Sequence, residues 1–525
     1  MRIGQIARDA DIPSRTPDSL IVASNRGPFE HKRDVDGRMR RHPTGGGVAT
    51  ALTSLLARNE LAWVAGAVSA ADRDLAARGL RQIPMENGHR LRFAIADSES
   101  YDLFYGTFSN PILWFLQHSM WDFLGERADL KSDIVNSWGN GYVPVNQAFA
   151  EAVSDEIERA RGVPRVMLHD YHLYLAPLFI RHRHPGALLQ HFIHIPWPEP
   201  QIWQALPLPI IQSICEGLLA NDSVSFQTEE FKRNFILTCL TYLPGATADV
   251  AGSRIDYDGH SVDVFANPIS VDVFGLRLQL ADPVIQSYQR ALSEGTGDLL
   301  TIVRVDRLDP SKNVLGGFQA YDLLLKRHPQ WRGRVRFLAF LVPTRDLIPE
   351  YAQYRDDVLA LIAGIDRRYG SKRWKPISLY HEQNRLQALA GLSLYDVLLA
   401  NSIADGMNLV VKEGPVLNQR DGALVLSKTV GAYEEFSEAA FGVDPYDIEG
   451  TAEALHEALL LSAEERRERA IFLRRRIAKH DINRWLEVQI AAFQRREAIA
   501  GLSPSDDSGP DNLQGPGLRL AGLTP

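Results

Sequence analysis

Short apolar runs alternate with amphipathic segments along most of this chain. The apolar runs are four to seven residues long, which is the length of a buried strand. The segments between them place apolar residues at helical spacing, so the alternation is typical of parallel α/β architecture. We predict strands at 20–24, 62–66, 165–169, 188–193, 223–226, 299–305, 335–341, 377–380, 397–400 and 423–426.

The amphipathic segments predict the connecting helices. The pair Asn267-Pro268 punctuates the chain between the two series of strands. The expected helices are 48–57, 146–161, 201–219, 229–243, 282–294, 314–327, 349–368, 384–392, 448–459 and a single long charged helix at 463–500.

This organisation predicts two doubly wound, Rossmann-like α/β domains that face a cleft, with ligands bound at the carboxyl ends of the strands. We expect an N-terminal extension at 1–18, a first domain at 19–267 and a second at 268–500, whose last helix packs back on the first domain. The tail at 501–525 is rich in Gly, Pro, Ser and Asp, so we expect it to be disordered.

Composition and charge narrow the class of protein. The chain has 525 residues, 45% of them hydrophobic, and a net charge of −8, which suits two cores and lacks the basic footprint of nucleic-acid binding. Without an 18-residue apolar stretch or an apolar core near the N-terminus, we expect no membrane span and no signal peptide. Cys215 and Cys239 fall in helical apolar patterns, which predicts buried free thiols. We therefore expect a cytoplasmic protein.

Residues 405–413 are the most informative local segment. They follow a predicted strand and open a predicted helix, whose first amides could face an anion because Gly406 allows close backbone approach. Glu413 would lie about six residues into that helix, roughly 9 Å along its axis. Phosphate at the tip and hydroxyls further along fit a sugar nucleotide, whereas the alternative is an ordinary strand-loop-helix. The candidate ligand-binding residues are Asp405, Gly406, Met407, Asn408, Leu409 and Glu413.

Arg307 and Lys312 directly follow another predicted strand, so both fall at its ligand-binding edge. Two cations there could neutralise a diphosphate leaving group, whereas the alternative is a solvated loop with a salt bridge to Asp309. A glycine run at 45–47, which includes Gly46, precedes helix 48–57 and would suit a phosphate or sugar. Its spacing matches neither a dinucleotide-binding motif nor a P-loop, so no NAD or ATPase site is indicated.

Four histidines lie in the runs 169–172 and 191–196, each of which ends a predicted strand. A metal site is the weaker interpretation, because the spacing is not helical and no cysteine accompanies them. We therefore expect no metal, and we favour Asp170 and His194 as polar contacts to sugar hydroxyls.

Aromatic and cationic residues near other strand ends complete the candidates. Tyr105 and Trp114 lie in a stretch of aromatic and amide side chains that suits a carbohydrate, although Trp114 alone is also typical of a core. Arg26 and Arg345 each follow a predicted strand and could bind an anion, with a surface salt bridge as the alternative.

Together these residues resemble the trehalose-6-phosphate synthase family, retaining glycosyltransferases with the two-domain glycosyltransferase-B fold. The resemblance extends from about residue 19 to residue 493, in the family's order and with near-family spacing. The matching motifs are Ser24-Asn25-Arg26, Phe108-Ser109-Asn110, His169-Asp170-Tyr171-His172-Leu173, His194-Ile195-Pro196-Trp197-Pro198, Arg307-Leu308-Asp309 and Asp405-Gly406-Met407-Asn408-Leu409-Val410 with Lys412-Glu413.

The resemblance implies a role for each candidate. Arg307 and Lys312 look like the clamp on the donor's diphosphate, and Glu413 looks like the carboxylate that accepts from ribose hydroxyls. The other implied positions are Gly46 and the amides of 405–409 as donor contacts, His194 beside the donor sugar, Asp170 as the acceptor-side carboxylate, Arg26, Tyr105 and Arg345 around the acceptor's phosphate, and Trp114 as an acceptor-site aromatic.

The reaction that the resemblance implies moves glucose from a nucleotide diphosphate glucose, such as UDP-glucose or GDP-glucose, to glucose 6-phosphate. Family members are thought to use front-side attack with retention, and the implied reaction needs no cofactor. The sequence fits this chemistry, because it presents no carboxylate pair of the glycosidase kind. The sequence leaves the oligomeric state open, a homo-oligomer included.

Several positions depart from the family pattern. Pro310 and Asn313 stand where a tyrosine and a glycine are usual, and Ala404 replaces an arginine. The family often has a second tryptophan after Trp63, which Val64-Ala65-Gly66 does not offer, and Trp197 replaces a phenylalanine. Some of these changes occur in relatives with altered acceptors, so glycerol 3-phosphate or a cyclitol phosphate stays open as the acceptor. A catalytically silent homologue is less favoured, because both clamp cations and the ribose carboxylate are present.

Overall fold

Two predominantly parallel β-sheets, each flanked by helices, organise the chain. The computed structural model describes residues 20–34, 36–44, 61–85, 88–125, 129–160, 162–249, 251–294, 299–345 and 348–501. The predicted helix 48–57 and the glycine run with Gly46 lie outside these residues. So do the extension 1–18 and nearly all of the tail.

The first sheet has ten strands, with its parallel strands in the centre and antiparallel pairs at both edges. Its spatial order is β10-β11-β12-β9-β8-β7-β1-β4-β6-β5, and β2 and β3 form a separate hairpin. The strands are β1 Leu20–Ser24, β2 Phe29–Arg33, β3 Met39–Pro43, β4 Leu61–Gly66, β5 Gln82–Pro84, β6 Arg90–Ala94, β7 Arg165–His169, β8 Leu188–Phe192, β9 Ser223–Phe226, β10 Thr247–Ala248, β11 Arg254–Tyr257 and β12 His260–Ala266.

The second sheet has six strands, all parallel, in the order β15-β14-β13-β16-β17-β18. The central strands are buried on both faces, as expected when helices cover both sides of a parallel sheet. The strands are β13 Leu300–Arg307, β14 Val335–Val342, β15 Ile377–Tyr380, β16 Val397–Ala400, β17 Ala423–Ser427 and β18 Phe441–Val443.

Helices connect these strands. The α-helices are Ala70–Ala77, Ser98–Asp102, Trp114–Gln117, Leu130–Ser137, Val143–Ile157, Ala176–Arg183, Leu208–Leu219, Glu229–Tyr242, Val273–Gln279, Pro283–Ser293, Val314–Arg327, Pro349–Tyr369, Arg385–Leu392, Val410–Leu417, Tyr433–Phe436, Ile448–Leu460, Ala463–Lys479 and Ile482–Ala500. Two π-helical segments, Leu103–Leu113 and Trp138–Tyr142, lie in the first half. Short 3₁₀ turns occur at Trp121–Leu124, Tyr171–Leu173, Pro200–Ala205, Pro310–Lys312 and Pro329–Trp331.

Two of the predicted helices are wrong in extent because polar caps and prolines interrupt them. The predicted helix 463–500 is two helices, and Asp481 caps the second by accepting from the amides of Asn483 and Arg484. The predicted helix 201–219 is a 3₁₀ turn followed by Leu208–Leu219, because Pro207 lacks an amide N–H and interrupts the helix between them.

The helix after β16 also begins later than predicted. It starts at Val410, and residues 401–409 form an irregular loop. Glu413 is therefore the fourth helical residue and not about the sixth, so it lies closer to the loop than the sequence indicated.

The last helix lies against the first sheet. Arg165 of β7 forms a bidentate ion pair with Glu497, with atoms 2.6 and 2.7 Å apart, and Arg496 lies 3.2 Å from Asp263 of β12. Near its start, Trp485 packs on Phe192 of β8. The chain that forms the second sheet thus returns to the first.

No helix among the described residues combines the length and apolar character needed to cross a bilayer. Cys215 and Cys239 are both buried and free, as predicted.

Candidate functional site

The carboxyl ends of the strands in the two sheets bring the candidate residues together. Trp114, at the end of the first half's π-helical segment, donates from Nε1 to Asp309 Oδ1 across 3.2 Å. Arg345, which follows β14, lies 3.4 Å from the Tyr171 hydroxyl beyond β7. Long π-helical segments are rare and often mark functional sites. The two halves therefore meet at the edge that the strand pattern predicted.

Asp309 is the junction of this site. Its side chain is fully buried and accepts from Arg345 Nη1 at 3.0 Å and from Trp114. It also accepts from the amide of Ser311 at 3.0 Å and from its hydroxyl at 2.8 Å, and Tyr351 adds a longer contact of 3.4 Å. This carboxyl joins Arg345 to the loop that carries Lys312.

Two nearby guanidinium groups favour the ionised form of the Asp309 carboxyl. Burial acts to raise the pKa of this carboxyl, but the guanidinium groups of Arg345 and Arg307 hold the pKa below its ordinary value. Both guanidinium groups also lie over the Trp114 ring, at 4.4 Å for Arg345 and 5.4 Å for Arg307. The ion pair of Asp309 is thus formed with Arg345, and not with the loop cations Arg307 and Lys312, for which a salt bridge to Asp309 was the alternative interpretation.

Arg26 provides a second cationic group, in the part of the chain that forms the first sheet. Arg26, exposed after β1, contacts the Tyr105 hydroxyl at 3.4 Å, and the Tyr105 ring stacks on His172 with centroids 6.2 Å apart. Burial acts to raise the pKa of the Tyr105 phenol, but the charges of Arg26 and Arg345 lower it below its ordinary value. A lowered phenol pKa indicates a positive potential, which favours an anionic ligand.

The loop after β16 has the backbone of an anion-binding nest. Asn408 has a left-handed φ of 64° and is followed by the right-handed Leu409, an arrangement that points successive amides toward one side. Among the described residues, the backbone amides of Met407, Asn408 and Leu409 have no acceptor. Lys312 forms an ion pair with Asp405 at the start of the same loop. Cations and unpartnered amides are therefore adjacent.

Close packing explains the glycine at position 406. A Cβ on Gly406 would lie 1.8 Å from the carbonyl oxygen of His194, so a side chain does not fit. The loop after β16, in which Asp405 precedes Gly406, therefore packs directly against the segment after β8 that carries His194.

Glu413 and its neighbour Lys412 point in different directions. Glu413 pairs with the half-exposed Arg385 at 3.0 Å, near the loop. Lys412 is fully buried, pairs with Glu435 at 2.6 Å and donates to the Ile269 carbonyl at 2.8 Å, which fastens the helix to the segment between the two sheets.

Asp170 is held in a strained backbone conformation, with a φ of 73°. Its Oδ1 is buried with no hydrogen-bond partner among the described residues. Burial raises the pKa of this carboxyl to about 7, despite opposing backbone hydrogen bonds from Tyr171 and His194. A strained, unsatisfied carboxyl at a strand end is a candidate contact for a ligand hydroxyl.

Five histidines around the site are neutral at pH 7 because burial lowers their pKa values. The pKa is about 4 for His118 and His191, about 3 for His194, and well below the ordinary value for His169 and His172. In the unfolded chain these groups bind protons below about pH 6.5, so the unfolded state binds more protons than the folded state.

We therefore expect the free energy of unfolding to fall as the pH falls from 6.5 toward 4, by up to about 1.4 kcal/mol per pH unit for each histidine. Asp170 acts oppositely: its raised pKa adds stability as the pH falls from about 7 toward 3.8. Urea unfolding at several pH values measures the slope. His191→Gln should make the slope shallower by one proton, and a stability that is flat or rises below pH 6.5 would contradict the assignment.

The structure thus brings most candidates to one cleft. Arg307, Lys312, Asp405–Leu409 and Glu413 lie on the side of the second sheet. Arg345 follows β14 of the second sheet and reaches the candidates on the side of the first sheet. Those candidates are Arg26, Tyr105, Trp114, Asp170 and His194. Gly46 is outside the described residues.

Sequence reasoning missed four contributors. Asp309 was noticed only as a salt-bridge partner, although its position inside the Arg-Leu-Asp motif was a usable signal. Tyr171 and His172 also lie inside a recognised motif. Tyr351 is a single aromatic in the helix Pro349–Tyr369 and gives no sequence signal, because its contact with Arg345 depends on the loop between β14 and that helix.

No group of three or more His, Cys, Asp or Glu side chains in the described part of the chain could hold a metal ion. The chemistry available to these residues is cationic and amide binding of phosphate, together with hydrogen bonding to hydroxyls.

Comparison with known proteins agrees with this geometry. The family model for glycosyltransferase family 20 matches residues 18–495. The bifunctional trehalose-6-phosphate synthase/phosphatase of Thermoproteus tenax is 33% identical over 485 residues, covering 89% of this chain and 62% of that protein. The UDP-forming alpha,alpha-trehalose-phosphate synthase of Pichia angusta is 31% identical over 484 residues, covering 89% of this chain and 97% of that protein.

The chain spans less than two thirds of some relatives, namely 62% of the Thermoproteus tenax protein and 61% of an alpha,alpha-trehalose-phosphate synthase of Dictyostelium discoideum. Solved structures are similar over nearly their whole length. A Burkholderia xenovorans alpha,alpha-trehalose-phosphate synthase in complex with glucose-6-phosphate has a TM-score of 0.78 and 26% identity, covering 91% of this chain and 100% of that chain.

An E. coli structure bound with UDP-2-fluoro glucose has a TM-score of 0.76 and 27% identity, covering 90% of this chain and 98% of that chain. These similarities confirm the predicted fold class, two Rossmann-like domains of the glycosyltransferase-B type. Together with the match over residues 18–495, they show that the chain belongs to glycosyltransferase family 20.

Proposed function

We propose that this protein is a retaining glucosyltransferase that moves glucose from UDP-glucose to glucose 6-phosphate and forms trehalose 6-phosphate. The observation that carries the proposal is the junction at Asp309, whose buried carboxylate bonds both to Arg345 and, through Ser311, to the loop between the proposed clamp cations Arg307 and Lys312. Two anionic substrates bound on the two sides would have their reacting groups side by side.

The donor half supports a nucleotide diphosphate. Arg307 and Lys312 supply positive charge at the end of β13, and the amides of 407–409 add donors without further charge. Such preorganised groups stabilise the charge that develops on the leaving diphosphate. Glu413, which pairs with Arg385 at 3.0 Å, is the carboxylate that would accept from the ribose hydroxyls.

The acceptor half supports a sugar phosphate. Arg26 and Arg345 surround Tyr105 with positive charge, which suits the phosphate. Asp170 offers a carboxyl with an unpartnered oxygen to a sugar hydroxyl. Holding both substrates in one geometry lowers the barrier by removing the entropy of encounter.

A matrix of donors and acceptors tests this function. UDP-, GDP- and ADP-glucose are each combined with glucose 6-phosphate, glycerol 3-phosphate and a cyclitol phosphate, and nucleoside diphosphate release is followed. We expect the fastest release with UDP-glucose and glucose 6-phosphate. Faster release with another acceptor would contradict the acceptor assignment, and no release with any pair would contradict the enzymatic function.

The two acceptor-side arginines should behave differently when removed. We expect Arg26→Ala to raise the acceptor KM at least tenfold with little change in kcat, because Arg26 is exposed and contacts only the acceptor side. Arg345→Ala should raise the acceptor KM and also lower kcat, because it leaves the buried Asp309 without its cation. Initial rates with both substrates varied measure this difference, and an unchanged acceptor KM in both variants would place the phosphate elsewhere.

A further inference from the structure

Tyr351 lies beside Arg345, where the two halves of the chain meet. It is the third residue of the helix Pro349–Tyr369 and is almost completely buried. Its ring packs on Phe115, in the helix Trp114–Gln117, with centroids 5.8 Å apart. The Tyr351 hydroxyl is therefore held by a helix of the second half and by packing against the first.

The Tyr351 hydroxyl joins Arg345 to Asp309. Arg345 Nη1 donates to the Tyr351 oxygen at 2.5 Å and to Asp309 Oδ2 at 3.0 Å. The hydroxyl donates in turn to the same Asp309 oxygen, in a longer contact of 3.4 Å. Burial raises the pKa of the Tyr351 phenol and the charge of Asp309 raises it further, so the hydroxyl keeps the proton that it donates. These three buried side chains form one closed hydrogen-bond network.

The network occupies one end of the Arg345 guanidinium and leaves one edge open. A guanidinium has five N–H bonds, two on each Nη and one on Nε. The two N–H bonds of Nη1 are accounted for by Asp309 and Tyr351. Among the described residues, the buried Nε has no partner, and Nη2 has one long contact of 3.4 Å to the Tyr171 hydroxyl. The Nε–Nη2 edge is therefore available to an anion.

An arginine edge of this kind binds oxyanions through two parallel hydrogen bonds. Arg165 forms such a pair in this chain, since its Nε and Nη2 donate to the two oxygens of Glu497 at 2.7 and 2.6 Å. Nη2 of Arg345 points to Tyr171, which follows β7 of the first sheet, and the charge of Arg345 acts on Tyr105 of the same half. The open edge thus lies on the proposed acceptor side.

We propose that Tyr351 is a positioning residue for the acceptor's phosphate. Together with Asp309, its hydroxyl holds Nη1 of Arg345 and so directs the Nε–Nη2 edge toward the acceptor. The Trp114 ring, 4.4 Å from the guanidinium carbon, restrains where the group lies, whereas the two bonds on Nη1 restrain its rotation. This inference rests on the proposed function, in which that side binds a sugar phosphate.

Tyr351→Phe tests the proposal, because it removes only the hydroxyl and keeps the ring against Phe115. We expect the KM for glucose 6-phosphate to rise about five- to tenfold, since Arg345 keeps Asp309 but loses the second bond that fixes its edge. The value of kcat should change less than about twofold, because Asp309 keeps its cation. An unchanged acceptor KM, or a fall in kcat larger than the rise in KM, would overturn the proposal.

Tyr354→Phe is the matched control. Tyr354 lies one turn further along the same helix and is also buried, but its hydroxyl accepts from the Leu315 amide at 3.2 Å rather than from Arg345. We expect this variant to leave the acceptor KM unchanged. An equal rise in both variants would indicate a packing effect of the helix and overturn the proposal.

Calorimetric titration separates this role from the proposed reaction. The unaltered protein and Tyr351→Phe are each titrated with glucose 6-phosphate and with inorganic phosphate, in the presence of UDP to occupy the donor side. We expect Tyr351→Phe to bind both probes about five- to tenfold more weakly, because both present the same anion to Arg345. Equal affinities in the two proteins, or no binding of either probe to the unaltered protein, would overturn the proposal. If the unaltered protein transfers no glucose but the expected loss of affinity is measured, the proposed function fails and the role of Tyr351 stands.

Discussion

Arg307→Ala is expected to lower kcat by about 10²–10³-fold, because it removes a charge that is needed most when the diphosphate departs. The guanidinium of Arg307 lies at the carboxyl end of β13 and over the Trp114 ring, so its position is fixed before the substrate binds. The acceptor KM should change only a few-fold. Initial rates of nucleoside diphosphate release, with both substrates varied, separate the two effects.

Arg484→Ala is the control for this substitution. Arg484 is an exposed arginine on the last helix that pairs with Glu487 at 3.2 Å, and its removal should leave both constants unchanged. If Arg307→Ala instead raised the acceptor KM with a normal kcat, the donor and acceptor halves would be assigned to the wrong sides of the cleft.

Lys412→Met is expected to lower the free energy of unfolding by about 3–5 kcal/mol, since it leaves a buried carboxylate without its partner. Lys412 is fully buried in its pair with Glu435, whose side chain is only 9% exposed, and the ammonium also donates to the Ile269 carbonyl. Urea unfolding of the single variant measures the loss.

The double variant Lys412→Met with Glu435→Leu separates charge from packing. Removing both charges should recover most of the stability, because the uncompensated carboxylate is gone. A single variant that unfolds within about 1 kcal/mol of the unaltered protein would show that this pair is not needed to hold the helix after the nest.

The sequence predicted β1, β4, β7, β8 and β9 of the first sheet and β13 to β17 of the second, because their apolar runs are short and bounded by polar turns. It did not predict β5, β6, β10, β11, β12 or β18. It also placed Arg307, Asp170 and His194 at the ends of predicted strands. The carboxyl ends of parallel strands lie at one edge of the sheet, and ligands bind at that edge. Because these positions follow from the local sequence pattern, one amino-acid sequence is enough to identify them.

What the sequence could not supply depends on contacts between distant segments. Asp309 and Arg345 are 36 positions apart, and their ion pair forms only because β13 and β14 are neighbours in the sheet. Trp485 reaches the histidines because the last helix crosses to the first sheet. Asp481 is of a residue type that often caps helices, but the charged helical pattern on both sides of it predicted one uninterrupted helix.

The late start of the helix at Val410 has a similar cause. The predicted helix was extended back through residues 405–409, but this loop is held by tertiary bonds, with the Gly431 amide donating to the Asp405 carbonyl at 3.0 Å. The Ile403 amide also donates to the Ser311 carbonyl at 2.8 Å. These bonds fasten the nest to the loop that carries Lys312, and the helix begins only after the nest.

The most direct test of the central claim is NMR of the product formed from UDP-glucose labelled with carbon-13 at the anomeric position and unlabelled glucose 6-phosphate. We expect a non-reducing disaccharide phosphate in which the labelled carbon retains the α configuration of the donor. A β-configured product, a product with a free reducing end, or release of labelled glucose alone would contradict it.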